Sequence, residues 1–271
     1  MNVYDETNQI LKTYKIQANK SLGQNFLQDD NILNKIVASV FVGNNDLIIE
    51  IGPGQGALTK KLVDIGCDVL AFEIDLRVKE YLDKINCSNL KVVYQDILQV
   101  DFKEYDFSKY DNVHIIANIP YYITTPIIEK IINSNINEVD MTLMVQKEVA
   151  DRFSAKPGSQ EYGSVSVYLN YFYDISTLIN VSRYAFFPVP NVDSAVIKLV
   201  RHNKYQVNNE EKFFKFVKQC FLYKRKNIRN NLKGYDLEKV SIVLKNYGHD
   251  LSSRAEEFSV IEFIDLYNSL F

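Results

Sequence analysis

The stretch Ile48-Ile49-Glu50-Ile51-Gly52-Pro53-Gly54-Gln55-Gly56 constrains this chain more than any other. An apolar run from Leu47 to Ile51 meets three glycines at alternate positions, and a helical pattern starts near Ala57. Glycines let the backbone turn sharply and approach a ligand with no Cβ in the way. A helix beginning behind them aims its free N–H groups and positive dipole end at the same spot. A second strand, Asp68 to Glu73, ends in an acid 21 positions after Gly52. An acid at about that distance holds the ribose hydroxyls of a nucleotide on doubly wound sheets. The glycines alone fit a ligand-free turn equally well; with Glu73 they point to a nucleoside site. NAD, FAD and S-adenosylmethionine all remain open at this stage.

The pattern around this core alternates strand and helix, which predicts a parallel α/β sheet. Strands are expected at Leu90 to Tyr94, Val113 to Ala117 and Met141 to Val145. Helices are expected at Ala57 to Ile65, Leu76 to Ile85, Pro126 to Ile132, Gln146 to Phe153 and Ser164 to Phe172. A short helix at Gln9 to Ile16 and one starting near Asp30 precede them, and strands at Ile175 to Val181 and Ala195 to Val200 close the region. From about Asn203 the pattern is purely helical: Phe213, Val217, Phe221, Ile228 and Leu232 form one apolar stripe. Ser259-Val260-Ile261-Glu262 is a capping box opening a last helix. Two domains are therefore expected, 1–202 and 203–271.

Composition narrows the class. With 46% hydrophobic and 24% charged residues, the chain reads as an ordinary globular protein. No run approaches the roughly 18 apolar residues of a membrane helix. The N-terminus lacks a basic start followed by an apolar core, so no secretory signal is read there. Cys67, Cys87 and Cys220 have no CxxC spacing, and the three His have no ligand spacing; reduced thiols, a cytoplasmic location and no metal site are expected. The net charge of −3 conceals an asymmetry. Arg201 to Lys233 carries a net +8, leaving −11 on the remainder, which suggests a localised contact with a polyanion.

The sharpest chemistry after the glycines is Asn118-Ile119-Pro120-Tyr121, at the carboxyl end of the fourth strand. That end faces the ligand crevice of an open α/β sheet. An exocyclic amine on a nucleobase is a poor nucleophile because its lone pair is delocalised into the ring. An amide oxygen and a backbone carbonyl accepting its two N–H bonds pull the nitrogen toward tetrahedral geometry. The lone pair is then free to attack an electrophilic methyl in line. Pro120 stiffens the loop and Tyr121 offers a stacking face; positioning and electrostatics carry such a reaction without a strong base. Asp96, after the third strand, is placed either to meet an adenine amino group or to cap the next turn.

Taken together, these motifs resemble the ribosomal RNA adenine dimethyltransferases. The resemblance rests on SLGQNFL (21–27), IIEIGPGQGALT (48–59), FEID (72–75), QDIL (95–98), NIPYYITTPII (118–128) and LMVQKEV (143–149). It continues through PGSQEYGSVSV (157–167), FFPVPNVDSAV (186–196), KRKNIRNNLK (224–233) and SRAEEFSV (253–260), so it covers nearly all of 20–265. PGSQEYG, the basic segment and the SRAEEFS tail resemble the small-subunit branch. The fold implied is a Rossmann-like S-adenosylmethionine methyltransferase sheet with a small C-terminal all-α domain.

The resemblance implies S-adenosylmethionine as cofactor, lined by Asn25 and Leu27. Gly52 would lie under its methionine part, Gly54 would also bind the cofactor, Glu73 would hold the ribose and Asp96 would meet the adenine. Asn118 would touch both cofactor and target amine, and Phe186 would stack on the target base opposite Tyr121. Lys224, Arg225, Lys226 and Arg229 would grip phosphates of 16S rRNA in the 30S subunit or its precursor. The implied reaction dimethylates N6 of two adjacent adenines, in a monomer. A large-subunit (23S) adenine methylase conferring macrolide resistance and a non-catalytic small-subunit assembly factor stand as alternatives. A nicotinamide dehydrogenase explains the glycines and Glu73 but neither NIPY nor the basic segment. The usual Asn after the NxPY tyrosine is Tyr122 here.

Overall fold

The computed structural model describes residues 3–5, 9, 13, 24–118, 123–134 and 136–271. The helix expected at Gln9 to Ile16 lies outside them apart from Gln9 and Thr13. Two compact units emerge, one of residues 1–150 with 176–200, the other of 151–175 with 201–271.

The first unit is built on strands β2 (Leu47–Ile51), β3 (Asp68–Glu73), β4 (Leu90–Tyr94), β5 (Val113–Asn118), β6 (Glu138–Gln146), β7 (Tyr173–Val181) and β9 (Ser194–Arg201). They form one sheet in the order β4-β3-β2-β5-β6-β9-β7. The first five pair in parallel, and their central members are mostly apolar and buried along their length because both faces are covered. The sheet is mixed, however, because β9 runs antiparallel to β6 with Gln146 opposite Ser194. Sequence order reverses between β2 and β5, which pair directly with Ile51 opposite Ala117. At such a switch point the connections leave to opposite sides and a crevice opens beyond the carboxyl ends.

Helices α1 (Asp30–Ala38), α2 (Ala57–Val63), α3 (Lys79–Leu82), α4 (Thr124–Ile132) and α5 (Lys147–Phe153) accompany the strands. Asp29 caps α1 by accepting from the Asn31 and Ile32 amides. The helix expected over Leu76 to Ile85 is shorter: a 3₁₀ turn at Leu76–Val78 precedes the single α-turn of α3. A two-stranded antiparallel ribbon, β1 (Phe26–Leu27) with β8 (Phe186–Phe187), had no periodic signature in the sequence. Leu27 and Phe186 face each other across it and join Leu33, Ile36, Ile48, Leu62 and Val196 in the core.

At the amino edge of this sheet lies a buried polar network. His114 Nδ1 is 3.0 Å from Asp140 Oδ1, and its Nε2 is 3.4 Å from Asp46 Oδ2. Lys198 pairs with Asp140 at 3.0 Å and donates to the Ser39 carbonyl. Burial disfavours a charged His114, but Asp140 and Asp46 outweigh it and hold the imidazole above its ordinary value. Both carboxyls stay below theirs although burial opposes it, because each accepts several hydrogen bonds, His114 among the donors.

The second unit is helical: α6 (Ser164–Phe172), α7 (Glu210–Cys220), α8 (Ile228–Asn231), α9 (Leu237–Asn246) and α10 (Val260–Leu270). A single cut after residue 202 does not describe it, because α6 carries its aromatic face into this unit. Tyr171 packs on Phe213 at 5.5 Å between centroids, and Phe213 on Tyr267 at 5.5 Å. The expected capping box is present, with Glu262 Oε2 accepting from the Ser259 amide at 2.7 Å. The stripe of Phe213, Val217, Ile228 and Leu232 is buried, but two helices present it, since α7 ends at Cys220 and a turn intervenes.

The His114 network sets a pH test. A His with a raised folded value contributes stability below about pH 6.5 that is lost as pH rises through the folded value. The destabilisation caused by His114→Gln is therefore expected to be larger at pH 6 than at pH 9 in urea unfolding. An equal loss at both would show that His114 is neutral throughout.

Candidate active site

Strand ends and the loops that follow them build one cavity of about 360 Å³, entirely within the sheet unit. Its walls include Asn25 and Leu27 from the β1 segment, Glu50 to Gln55 from the glycine turn, Glu73 after β3, Asp96 after β4 and Asn118 at the end of β5. Register explains the convergence: with Ile51 level with Phe72 and Ala117, the residues that follow each strand emerge at one edge.

Gly52, Gly54 and Gly56 all have positive φ, at 76°, 54° and 70°. An L side chain pays roughly 1–2 kcal/mol for that region. Space adds to the constraint at Gly56, where a Cβ would sit 2.7 Å from Ile85 Cδ1. At Gly54 it would touch the Phe26 ring at 3.4 Å, an ordinary contact, so there the positive φ alone favours glycine.

Glu73 fastens the turn. Its Oε2 accepts from the Gly54 amide at 2.8 Å and its Oε1 from the Asp75 amide at 2.8 Å. Burial raises its value despite those bonds. Glu50 is fully enclosed: burial foremost, with the charge of Glu73 adding to it, pushes its carboxyl up to about 8. Near neutral pH Glu50 is thus largely a neutral acid at the cavity wall.

A second layer, not singled out in the sequence, holds the β1 segment against the cavity. Arg77 grips Asp75 through Nε at 2.8 Å and a terminal nitrogen at 2.6 Å. Gln24 donates to Asp75 at 2.7 Å and accepts from Arg77 at 3.2 Å. Burial opposes ionisation of Asp75, but Arg77 and Gln24 outweigh it and hold its value down. The acid two positions after Glu73, with a cation two further on, was the available signal.

Asp96 is a turn cap that also faces the cavity. Its Oδ1 caps the following turn by accepting from the Leu98 amide at 2.9 Å, and the residue lines the cavity. Asn118 is half-buried at the cavity wall. Pro120 and Tyr121 lie outside the described residues. Phe186 is only 2% exposed and sits in the core beside Leu27, whereas its neighbour Phe187 is 43% exposed. The buried ring offers no face to a base in this arrangement.

Lys224, Arg225, Lys226 and Arg229 are all exposed, in the helical unit. They occupy no continuous helix: the first three lie on the turn between α7 and α8, and Arg229 is in α8. Asn227 interrupts the helical run by capping α8, accepting from the Asn230 amide at 3.2 Å.

The donor set fits S-adenosylmethionine. Glu50 Oε2 and both polar atoms of the Gln55 amide are buried without a partner among the described residues. Acidic walls suit a cationic ligand, and Glu73 and Asp96 both line the cavity. Among the described residues no group of three or more His, Cys, Asp or Glu would hold a metal ion. None of the described helices is long and apolar enough to cross a membrane.

A Rossmann-like sheet with this cavity at its switch point is the architecture of a nucleoside-dependent methyltransferase. The chain belongs to the ribosomal RNA adenine dimethylase family, whose sequence profile matches residues 15–270. It is 41% identical to the ribosomal RNA small subunit methyltransferase A of Bacillus mycoides, over 98% of this chain and 96% of that one. The protein of the same description from Bacillus cereus strain B4264 is equally similar. Among solved structures, a dimethyladenosine transferase from Plasmodium falciparum shares 27% identity and a TM-score of 0.74, covering 89% of this chain and 95% of that one. The 23S rRNA methyltransferase ErmE gives 25% identity and the same TM-score, covering 91% and 99%.

Glu50 yields a prediction. An acid raised in the folded state costs nothing below its unfolded value near 4.5 and progressively destabilises as pH climbs toward about 8. In urea unfolding, wild-type protein should lose stability between pH 5 and pH 8 that Glu50→Gln retains. An unchanged pH slope in the variant would mean the carboxyl is solvated.

Proposed function

We propose that the protein transfers methyl groups from S-adenosylmethionine to N6 of two adjacent adenines near the 3′ end of small-subunit (16S) rRNA, in the 30S subunit or its precursor. The observation that carries the reading is the convergence of Asn25, Gly52, Glu73, Asp96 and Asn118 on one cavity at the switch point. The small-subunit substrate is supported by the description of relatives 41% identical over nearly the whole chain.

Bound there, S-adenosylmethionine supplies an electrophilic methyl group. Glu73 would hold the ribose hydroxyls and Asp96 the adenine amine, both from the cavity wall. Gly52 and Gly54 let the backbone approach the methionine part. The Asn118 amide oxygen accepts an N6–H of the target adenine and so localises the nitrogen lone pair. Pro120 and Tyr121 keep the stiffening and stacking roles that the resemblance implies. No face for the base is assigned to Phe186, since its ring is in the core. The target base must leave its stack to reach Asn118, which an unpaired or loop nucleotide does at least cost. Lys224, Arg225, Lys226 and Arg229 hold phosphates, a contact that fixes orientation without reading sequence.

Methyl transfer from labelled S-adenosylmethionine to unmodified 30S particles, with 50S particles in parallel, tests the reading. Label on 30S alone, as N6,N6-dimethyladenine, is expected. The likeness to ErmE makes the 50S arm informative: label there would move the substrate to 23S rRNA. Asn118→Ala should abolish transfer while calorimetry still detects cofactor binding; Glu73→Ala should weaken that binding. Full turnover by the Asn118 variant would remove the residue from the reaction.

A further inference from the structure

The turn between α7 and α8 combines features that phosphate binding does not require. Its sequence is Leu222-Tyr223-Lys224-Arg225-Lys226, and two large side chains stand in solvent there, Leu222 at 57% and Tyr223 at 58% exposure. Among the described residues the Tyr223 ring takes part in no aromatic pair and no cation–π contact, although the unit is crowded with stacked rings. Phe221 beside it turns inward, onto Tyr162 and Phe263.

The backbone of this turn is clamped while the side chain is left out. The Tyr223 amide donates to Asn231 Oδ1 at 2.9 Å, and its carbonyl accepts from the Lys226 amide at 2.8 Å and from Asn231 Nδ2 at 3.4 Å. Asn231 is buried, and its own carbonyl accepts from Gln219 at 2.9 Å. A fixed backbone presenting an aromatic side chain of only two torsions loses little entropy when the ring is covered.

Charge names the occupant. Lys224, Arg225, Lys226 and Arg229 follow Tyr223 closely in the chain and are exposed, and among the described residues no carboxylate pairs with any of them. Lys224 is held instead on the Gln160 carbonyl at 2.8 Å. A ring next in the chain to unneutralised cations suits a polyanion that also carries flat apolar faces. Single-stranded nucleic acid has both, whereas an A-form helix shows a protein chiefly its backbone and hydroxyls.

We propose that Tyr223 is a nucleobase-stacking residue: it takes the face of an unpaired base of the substrate RNA, while Lys224, Arg225, Lys226 and Arg229 hold the flanking phosphates. The inference rests on the reading that the substrate is RNA. It assigns this turn to a loop, bulge or strand end rather than to a paired stem.

The test compares two fluorescently labelled RNAs of equal length, an unpaired adenine-rich strand and a fully paired duplex, on the full-length protein. Stacking of one base is worth about 1–3 kcal/mol, so Tyr223→Ala should weaken binding of the unpaired strand roughly tenfold. Its salt dependence should not change, and duplex affinity should stay as in the wild type. Tyr223→Phe should retain binding, because a phenyl ring stacks as well. Arg225→Ala should weaken both RNAs and flatten the salt dependence. Wild-type affinity in Tyr223→Ala, a loss that Tyr223→Phe shares, or an equal loss on the duplex would each overturn the stacking role. If wild-type protein methylates 30S particles while Tyr223→Ala binds unchanged, only this inference falls. If wild-type protein binds neither RNA nor methylates 30S, the proposed function falls with it.

Discussion

The crevice depends on one buried carboxylate meeting two backbone amides. Glu73, at the end of β3, accepts from Gly54 in the neighbouring loop and from Asp75 in its own. Without those bonds the glycine turn would keep its permissive φ values but lose the contact that selects one conformation. The geometry has a cost, since burial raises the Glu73 value, and the amides recover part of it through hydrogen bonds to the charged form. The site is thereby organised before any ligand arrives, which is what lets positioning alone do chemical work.

Two buried acidic groupings in the same sheet show how surroundings decide the charge. At the carboxyl edge, Glu50 has Glu73 as its charged neighbour and no cation, and it is pushed toward neutrality. At the amino edge, Asp46 and Asp140 have His114 between them and Lys198 beside Asp140, and they remain ionised. The amino-edge network satisfies itself. The carboxyl edge leaves polar atoms of Glu50 and Gln55 without partners among the described residues, as a wall meant to meet a ligand does.

Much of this was legible in the sequence because the central strands are buried on both faces and spell out as apolar runs. Strand limits at Leu47 to Ile51 and Asp68 to Glu73 follow from those runs, while the edge strand Leu90 to Tyr94, only partly buried, is marked by its β-branched and aromatic residues. Gly52, Glu73, Asp96 and Asn118 were legible as a cavity because each closes such a strand. The β1–β8 ribbon was not: two residues carry no period, and their partners lie far along the chain. The turn at 221–226 was hidden for the opposite reason, since its flanking apolar residues keep a helical spacing across a break. Asn227 breaks it by capping α8, and the buried Asn231 side chain satisfies the turn's backbone without leaving a trace in hydropathy. The inclusion of α6 in the helical unit was equally silent, because an aromatic helix face does not say which core it enters.

The pairing of Phe26 with Phe187 joins positions 161 residues apart, and it fixes the strand whose Phe26 and Leu27 line the cavity. Closing so long a loop is entropically expensive and rewards the chain only when both ends are in place. During synthesis the glycine turn, Glu73, Asp96 and Asn118 can all be assembled while β1 still lacks its partner strand. A chain interrupted before β8 would carry every residue that lines the cavity and still lack the strand that holds β1 in place. The order in which the polypeptide emerges thus separates the supply of the cavity walls from the fixing of one of them.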